Sequence, residues 1–149
     1  MSIHPLRLFS IIVLAFSLAA CASAKLATPE QDAAAKQFNP EAGKANIYIY
    51  RNEGNPFSTQ ISVSLDGAQA GNLDKDTYII LSVAPGRHII TAHAENRDTA
   101  EIITEEGKDY FIWLESRLGT ITNHAHFHHV SEEKGKAGVS VCKLVESFL

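Results

Sequence analysis

Hydrophobic and polar residues alternate with a period of two along most of the chain that follows Ala45. Ile47 and Ile49 alternate with Tyr48 and Tyr50 at the start of this region. Further extended runs cover residues 61–65, 78–83, 87–94, 100–104, 110–115 and 121–130. Because successive side chains of a strand point to opposite faces, this alternation predicts half-buried β-strands.

Turn residues separate these runs and indicate how the strands connect. Asp66-Gly67 is a signal for a β-hairpin, and Gly71-Asn72 with Asp74-Lys75-Asp76 marks a second break. Pro85-Gly86 suits a type II turn, because Pro fixes φ and Gly permits a positive φ. We therefore expect residues 87–94 to return as the hairpin partner of residues 78–83.

Strands that recur about every 8 to 12 residues are typical of sandwiches and barrels. The sequence therefore predicts an all-β domain over residues 45–149, built as a small antiparallel β-sandwich or a partly open barrel. Residues 131–136 interrupt the alternation. Residues 137–148 fit either a last strand or a short helix.

The segment before the domain, residues 21–44, is poor in large apolar side chains and is expected to be a tether with one short helix. Thr28-Pro29-Glu30-Gln31 fits a capping box with Pro at the first helical position, and Pro40 and Gly43 end the helical pattern. A disordered segment of roughly 20 residues would reach about 25 Å.

Residues 1–20 have a charged start, a short apolar run and small residues before Cys21, which predicts a secretory signal peptide. The apolar run is shorter than the roughly 20 residues that a spanning helix needs. Leu18-Ala19-Ala20-Cys21 resembles the lipobox of bacterial lipoproteins. This likeness implies that Cys21 becomes the mature N-terminus and carries a diacylglycerol thioether and an N-acyl chain, which would anchor the domain to a membrane.

The residue after Cys21 and the charge of the chain bear on localisation and partners. Ala22 rather than Asp follows the cysteine, and this pattern resembles that of outer-membrane lipoproteins, which implies a domain facing the periplasm. The formal net charge is −4 without a basic stripe, so nucleic acid is not an expected partner.

The chain has two cysteines, and lipidation of Cys21 would leave Cys142 without an intramolecular disulfide partner. Cys142 lies in an alternating apolar stretch, which predicts a buried, unreactive thiol.

Four of the seven histidines lie within residues 124–129, which read His-Ala-His-Phe-His-His. In a strand, His124, His126 and His128 would share one face at a spacing of about 7 Å. Two such imidazoles can converge on Zn²⁺ or Cu²⁺. A complete site needs a donor from elsewhere in the chain, and His93 and Glu115 are the candidates.

The same histidines also fit a strand face exposed to solvent, with Ala125 and Phe127 packing inward, or a pH-sensitive face. His88 follows the predicted Pro85-Gly86 turn, where a histidine is expected to anchor the turn by hydrogen bonding. Asp66 is expected to be a turn former.

Tyr48, Tyr50 and Arg51 fit either core packing or a strip that binds a protein partner. The chain has no nucleophile elbow, no phosphate-binding glycine loop and no helical His-Glu-x-x-His motif. We therefore expect a protein that is not an enzyme.

Several segments together carry a family resemblance. Residues 45–52, 63–67, 71–73, 78–88 and 107–113 resemble the bacterial lipoproteins grouped as domain of unknown function 2846 (DUF2846). The middle segments are also similar to PEGA-type modules, which are small β domains of the cell envelope. The resemblance implies an all-β lipoprotein and brings no activity and no catalytic residues, and residues 124–129 lie outside its pattern.

The sequence therefore predicts an outer-membrane-anchored periplasmic lipoprotein whose domain is a non-catalytic binding or envelope-structural module. An envelope protein or a cell-wall component is the expected partner, and no cofactor is required. The alternative is a periplasmic metal-binding protein that holds Zn²⁺ or Cu²⁺ with the histidines of residues 124–129.

Overall fold

A computed structural model describes residues 24–53 and 57–149. Two β-sheets pack face to face, and two helices accompany them. The elements in chain order are α1 (Pro29–Ala35), β1 (Ala45–Arg51), β2 (Ile61–Leu65), β3 (Ala68–Leu73), β4 (Thr77–Val83), β5 (Gly86–His93), β6 (Arg97–Thr104), β7 (Asp109–Leu118), β8 (Asn123–His129), α2 (Glu132–Ser140) and β9 (Lys143–Leu144).

The strands form a five-stranded sheet in the order β8-β7-β1-β4-β9 and a four-stranded sheet in the order β3-β2-β5-β6. The predicted all-β sandwich with a short N-terminal helix is confirmed. The five-stranded sheet is mixed rather than antiparallel, because β1 pairs in parallel with β7 and in antiparallel with β4.

The main hydrophobic core lies between the two sheets. Ile47 and Ile49 of β1 contribute to it from one sheet, and Val63 and Ile90 contribute from the other. All four side chains are fully buried, which removes their apolar surface from water and stabilises the sandwich.

Strand β1 is buried on both faces, so the prediction of a half-buried strand is wrong for this element. Tyr48 and Tyr50 point away from the core between the sheets and enter a second apolar cluster with Phe111 and Val139. The rings of Tyr48 and Phe111 stack with their centroids 5.1 Å apart. The hydroxyl of Tyr48 donates a hydrogen bond to the carbonyl oxygen of Ala35 over 2.8 Å.

Helix α2 covers this second cluster, and two glycines let it approach closely. A Cβ atom at Gly135 would overlap the Phe111 side chain, and one at Gly138 would overlap the Tyr50 ring. Ser131 caps the helix, since its hydroxyl accepts a hydrogen bond from the backbone N–H of Lys134. The choice left open for residues 137–148 resolves into the end of α2 followed by β9.

Arg51 is fully buried and helps to close one end of the sandwich. Its guanidinium donates to the carbonyl oxygens of Leu73 over 2.6 Å and Thr59 over 3.0 Å, and to the hydroxyl of Ser58. It also pairs with the Glu53 carboxylate over 2.6 Å.

The expectation that Tyr48, Tyr50 and Arg51 form a partner-binding strip is therefore corrected. The three residues are at most 2% exposed, because helices and loops distant in sequence cover them. Their side chains are part of the packing rather than of the surface.

The two predicted hairpin turns have different outcomes. Asp66 and Gly67 have positive φ values of 49° and 86° and connect β2 to its antiparallel neighbour β3, as predicted. The prediction that β4 and β5 form a hairpin is wrong, because Pro85 lies on a crossover between the two sheets. The predicted second break is confirmed at residues 74–76, which connect β3 to β4. Gly71 and Asn72, which were predicted to be part of this break, lie inside β3 instead, where a Cβ atom at Gly71 would overlap Ile79.

His88 anchors these connections as expected. Its Nδ1 lies 2.7 Å from the Asp66 carboxylate and its Nε2 lies 2.8 Å from the carbonyl oxygen of Ala84. Partial burial lowers the pKa of His88, but the hydrogen bond to Asp66 raises it, and the net direction is upward. The imidazole therefore joins the ends of β2 and β4.

The segment before β1 packs against the sandwich instead of forming a long tether. Leu26 bridges Val145, and the backbone N–H of Glu146 donates to the carbonyl oxygen of Lys25 over 2.8 Å. The predicted capping box is confirmed, since Thr28 and Gln31 exchange side-chain hydrogen bonds at the start of α1.

Only one of the two cysteines lies among the described residues. The predicted signal peptide, residues 1–20, and Cys21 lie outside the described residues. Cys142 is free and buried, as predicted, and its thiol donates to the carbonyl oxygen of Arg51 over 3.2 Å. Burial raises the pKa of Cys142 to about 12. Within residues 24–53 and 57–149, neither helix has the length and apolarity to span a bilayer.

We expect Gly138→Ala to lower the free energy of unfolding by about 1–3 kcal/mol, because the added methyl group would force α2 away from Tyr50. Urea denaturation measures this change. Ala137→Gly, on the exposed side of the same helix, is the control and should cost about 1 kcal/mol through helix propensity alone. A stabilised Gly138→Ala protein would show that propensity outweighs the contact.

Candidate functional site

The two sheets differ in what covers their outer faces. Helix α2 packs on β7 and β1, and helix α1 packs beside β9, so both helices lie on the five-stranded sheet. The outer face of the four-stranded sheet instead carries mainly polar side chains, most of them half-exposed or exposed, with Ser64 buried and Ile103 exposed among them. This exposed surface is the first candidate for recognition of a partner.

Eight polar residues in two rows cross the four-stranded sheet, and we call them the polar face. The register of the strands places the members of each row side by side. One row is Asn72, Ser62, His93 and Arg97, and the other is Gln69, Ser64, Thr91 and Thr99. A shallow groove of about 500 Å³ runs over most of them.

Hydrogen bonds order the side chains of the polar face. The Ser64 hydroxyl and Nε2 of His93 lie 3.0 Å apart, and the Gln69 amide donates to the Ser62 hydroxyl over 3.3 Å. Hydroxyl, amide and imidazole groups here provide both donors and acceptors, while Arg97 adds a positive charge. The surface is chemically suited to a partner rich in polar groups.

The polar face was not predicted, although the alternation of polar and apolar residues in its strands is visible in the sequence. Ser62 and Ser64 alternate with buried apolar residues, as do Thr91 and His93 in β5. That such positions on four strands line up in rows across the sheet depends on the order of the strands, which the sequence pattern does not give.

The histidines of residues 124–129 lie on β8, at one edge of the five-stranded sheet. Ala125 is buried and Phe127 packs against the core, so the predicted inward-facing positions are confirmed. His124, His126 and His128 share the other face, opposite residues of β7. Their cross-strand partners are Arg117, Glu115 and Trp113, respectively.

His128 contacts two side chains of β7, those of Trp113 and Glu115. Its ring stacks on Trp113 with centroids 4.9 Å apart, and its Nε2 lies 2.8 Å from the Glu115 carboxylate. The same carboxylate oxygen lies 2.8 Å from the Arg117 guanidinium. The hydrogen bond from Arg117, followed by that from His128, lowers the pKa of Glu115.

The two residues predicted as additional metal ligands, Glu115 and His93, lie on different sheets. Glu115 lies beside His128, as a metal site would need, but His93 lies in the polar face of the other sheet. In the part of the chain that the structure describes, no three His, Cys, Asp or Glu side chains are arranged to hold a metal ion. The nearest acid to His124 is Glu95, at 3.8 Å.

Glu95 fixes the loop that leads into β8. Its carboxylate accepts hydrogen bonds from the backbone N–H groups of Thr122 and Ile121 over 2.9 Å and of Thr120 over 3.1 Å. These hydrogen bonds lower the pKa of Glu95 to about 2, and the one from Thr122 has the largest effect. Because Glu95 lies in the turn between β5 and β6, it ties the two sheets together.

Side chains from the β6 region also protect the outer edge of β8. The backbone N–H groups of Ala125 and Phe127 donate to the side chains of Asn96 and Asp98, each over 2.7 Å. An edge strand whose donors are satisfied in this way is less able to pair with another chain.

Comparison with known proteins gives a family and a relative. The family model described as protein of unknown function (DUF2846) matches residues 41–129. A protein of Haemophilus influenzae described as an uncharacterized protein is 33% identical over 140 residues, which cover 93% of this chain and 83% of the relative. The segment matched by the family model contains the polar face and all of β8, so the expectation that residues 124–129 lie outside the family pattern is wrong. Both helices lie outside the matched segment.

We expect Glu95→Gln to lower the melting temperature near neutral pH, because the loop loses its charged acceptor. The folded pKa is below the ordinary value of 4.5, so the stabilisation is present above pH 4.5 and is lost as the pH falls toward about 2. The melting temperatures of the parent and of Glu95→Gln, measured across this pH range, should therefore converge as the pH falls. Glu41→Gln, at an exposed position, is the control, and parallel pH profiles for Glu95→Gln and the parent would contradict the assignment.

Proposed function

Because this chain belongs to the DUF2846 family, we propose that it is an outer-membrane-anchored lipoprotein whose domain faces the periplasm and binds a partner in the envelope without catalysis. The polar face is the observation that carries the binding role. It is an ordered, accessible surface on a sheet whose other face is the core.

The lipobox at residues 18–21 supports the anchor. The described residues begin at Ala24, and Leu26 already forms a backbone bridge with Val145, so few residues separate Cys21 from the domain. A lipid on Cys21 would therefore hold a domain that has its own core close to the membrane surface.

The chemistry of the polar face supports an envelope protein or a cell-wall component as partner. Serine and threonine hydroxyls, the Gln69 amide and the Arg97 guanidinium recognise amide, hydroxyl and carboxylate groups, which both kinds of partner carry. The resemblance to PEGA-type envelope modules is in line with such a role.

Zn²⁺ or Cu²⁺ binding by His124, His126 and His128 is the alternative function, and the proximity of Glu115 to His128 is its support. Glu115 would have to exchange its contact with Arg117 for the metal. Calorimetric titration of the lipid-free domain with each metal tests it, and binding weaker than about millimolar would remove this alternative.

We expect Cys21→Ser to move the protein from the membrane fraction to the soluble periplasmic fraction, because the thioether-linked lipid can no longer form. Cell fractionation and mass analysis of the N-terminal peptide measure the change. Cys142→Ser is the matched control, since this buried thiol lies outside the lipobox-like sequence at residues 18–21. Recovery of the same mature species in the membrane fraction after Cys21→Ser would contradict lipid anchoring.

We expect a photo-crosslinking amino acid at Thr99, in the polar face, to give a discrete adduct in intact cells. The same probe at Glu106, in an exposed turn outside the polar face, is the control and should not give that adduct. Adding Thr91→Trp should abolish the Thr99 adduct, because the larger side chain would fill the groove. Identical adducts at Thr99 and Glu106, or adducts unaffected by Thr91→Trp, would argue against binding at this face.

A further inference from the structure

One end of the sandwich combines several loops, and we call it the loop end. It comprises residues 57–60, 74–77, 118–122 and 141–143. Two hydrogen bonds join these loops directly, Gln60 to Asp74 and Lys143 to Asp76, and two join residues 57–60 to the strand ends that flank residues 118–122, Ser58 to Ser116 and Asn123 to Thr59. These loops therefore form one continuous surface across both sheets.

Large apolar side chains are exposed at the loop end. Leu118 is 71% exposed, Ile121 87% and Val141 68%. Phe57 is also exposed there. Charged residues also lie at the loop end, at positions 74, 75, 76 and 143, whereas the turn at residues 105–108 at the other end exposes charged residues and no large apolar side chain. Exposed apolar residues that collect on one surface indicate an interaction with a membrane or a partner.

The path of the chain favours a membrane over a protein partner. Ala24, the first described residue, lines a surface cavity of about 510 Å³ together with Leu26, Val141 and residues 74–77 of the loop end. Cys21 is three residues earlier, and three residues span at most about 11 Å. A lipid on Cys21 would therefore hold the headgroups close to the surface that exposes these side chains.

We propose that the loop end rests on the lipid bilayer, with the Leu118, Ile121 and Val141 side chains in the headgroup layer. This inference rests on the proposed lipid anchor at Cys21. In this orientation the strands stand upright on the membrane, and the polar face lies at the side of the domain, where a partner in the periplasm can reach it.

Fluorescence quenching tests the orientation in the acylated full chain. Ile121→Cys and Ile103→Cys each receive the same fluorescent maleimide, while buried Cys142 stays unlabelled and the parent protein gives the background. Ile103 is the matched control, since it is 68% exposed on β6, outside the loop end. The proteins are reconstituted into vesicles of phosphatidylethanolamine and phosphatidylglycerol that contain a lipid with a nitroxide on its headgroup.

We expect the label at position 121 to be quenched several-fold more than the label at position 103. Equal quenching at the two positions would overturn the proposal. Quenching at Val141→Cys without quenching at Ile121→Cys would also overturn it, because the domain would then lie on the β9 edge. Protection of the position 121 label in intact cells without lipid quenching would assign the loop end to a protein partner instead.

Flotation of the vesicles separates failure of this inference from failure of the anchor. If the full chain does not float with the vesicles and its N-terminal peptide lacks the lipid mass, the proposed anchor fails, and the orientation fails with it. If the chain floats and the two labels are quenched equally, the anchor stands and only the orientation is overturned.

Discussion

The burial of strand β1 on both faces is the constraint on which the rest of the structure depends. Ile47 and Ile49 pack into the core between the sheets, while Tyr48 and Tyr50 pack under the helices. A strand at the centre of a sheet with apolar side chains on both faces needs a layer on each side. Helix α2 can provide the second layer because Gly138 and Gly135 leave room for the aromatic rings.

This constraint explains why the two sheets present such different surfaces. The five-stranded sheet uses its outer face to complete the fold, and its edges are covered by residues 25–27 and by the side chains of Asn96 and Asp98. The four-stranded sheet needs only one buried face, so its outer side can carry the polar face. The division of roles between the sheets therefore follows from packing, before any partner is considered.

Local features were predictable from the sequence, and their long-range arrangement was not. The Asp66-Gly67 hairpin and the helix cap at Thr28 depend on neighbouring residues alone, and both are confirmed. The Pro85-Gly86 connection has ordinary turn chemistry, which does not reveal that the next strand joins another sheet. A helix was predicted only as one alternative for residues 137–148, and the start of α2 at Glu132 was missed. Glycines at positions 135 and 138 lower helix propensity, and their benefit arises only in contact with distant rings.

Amide hydrogen exchange of the lipid-free domain tests the central role of β1 most directly. A strand enclosed by two layers should exchange only when the whole domain unfolds. We therefore predict that the amides of Ile47–Tyr50 are among the slowest to exchange and that their opening free energy equals the global free energy of unfolding in urea. Opening of β1 at a lower free energy, insensitive to urea, would contradict the account.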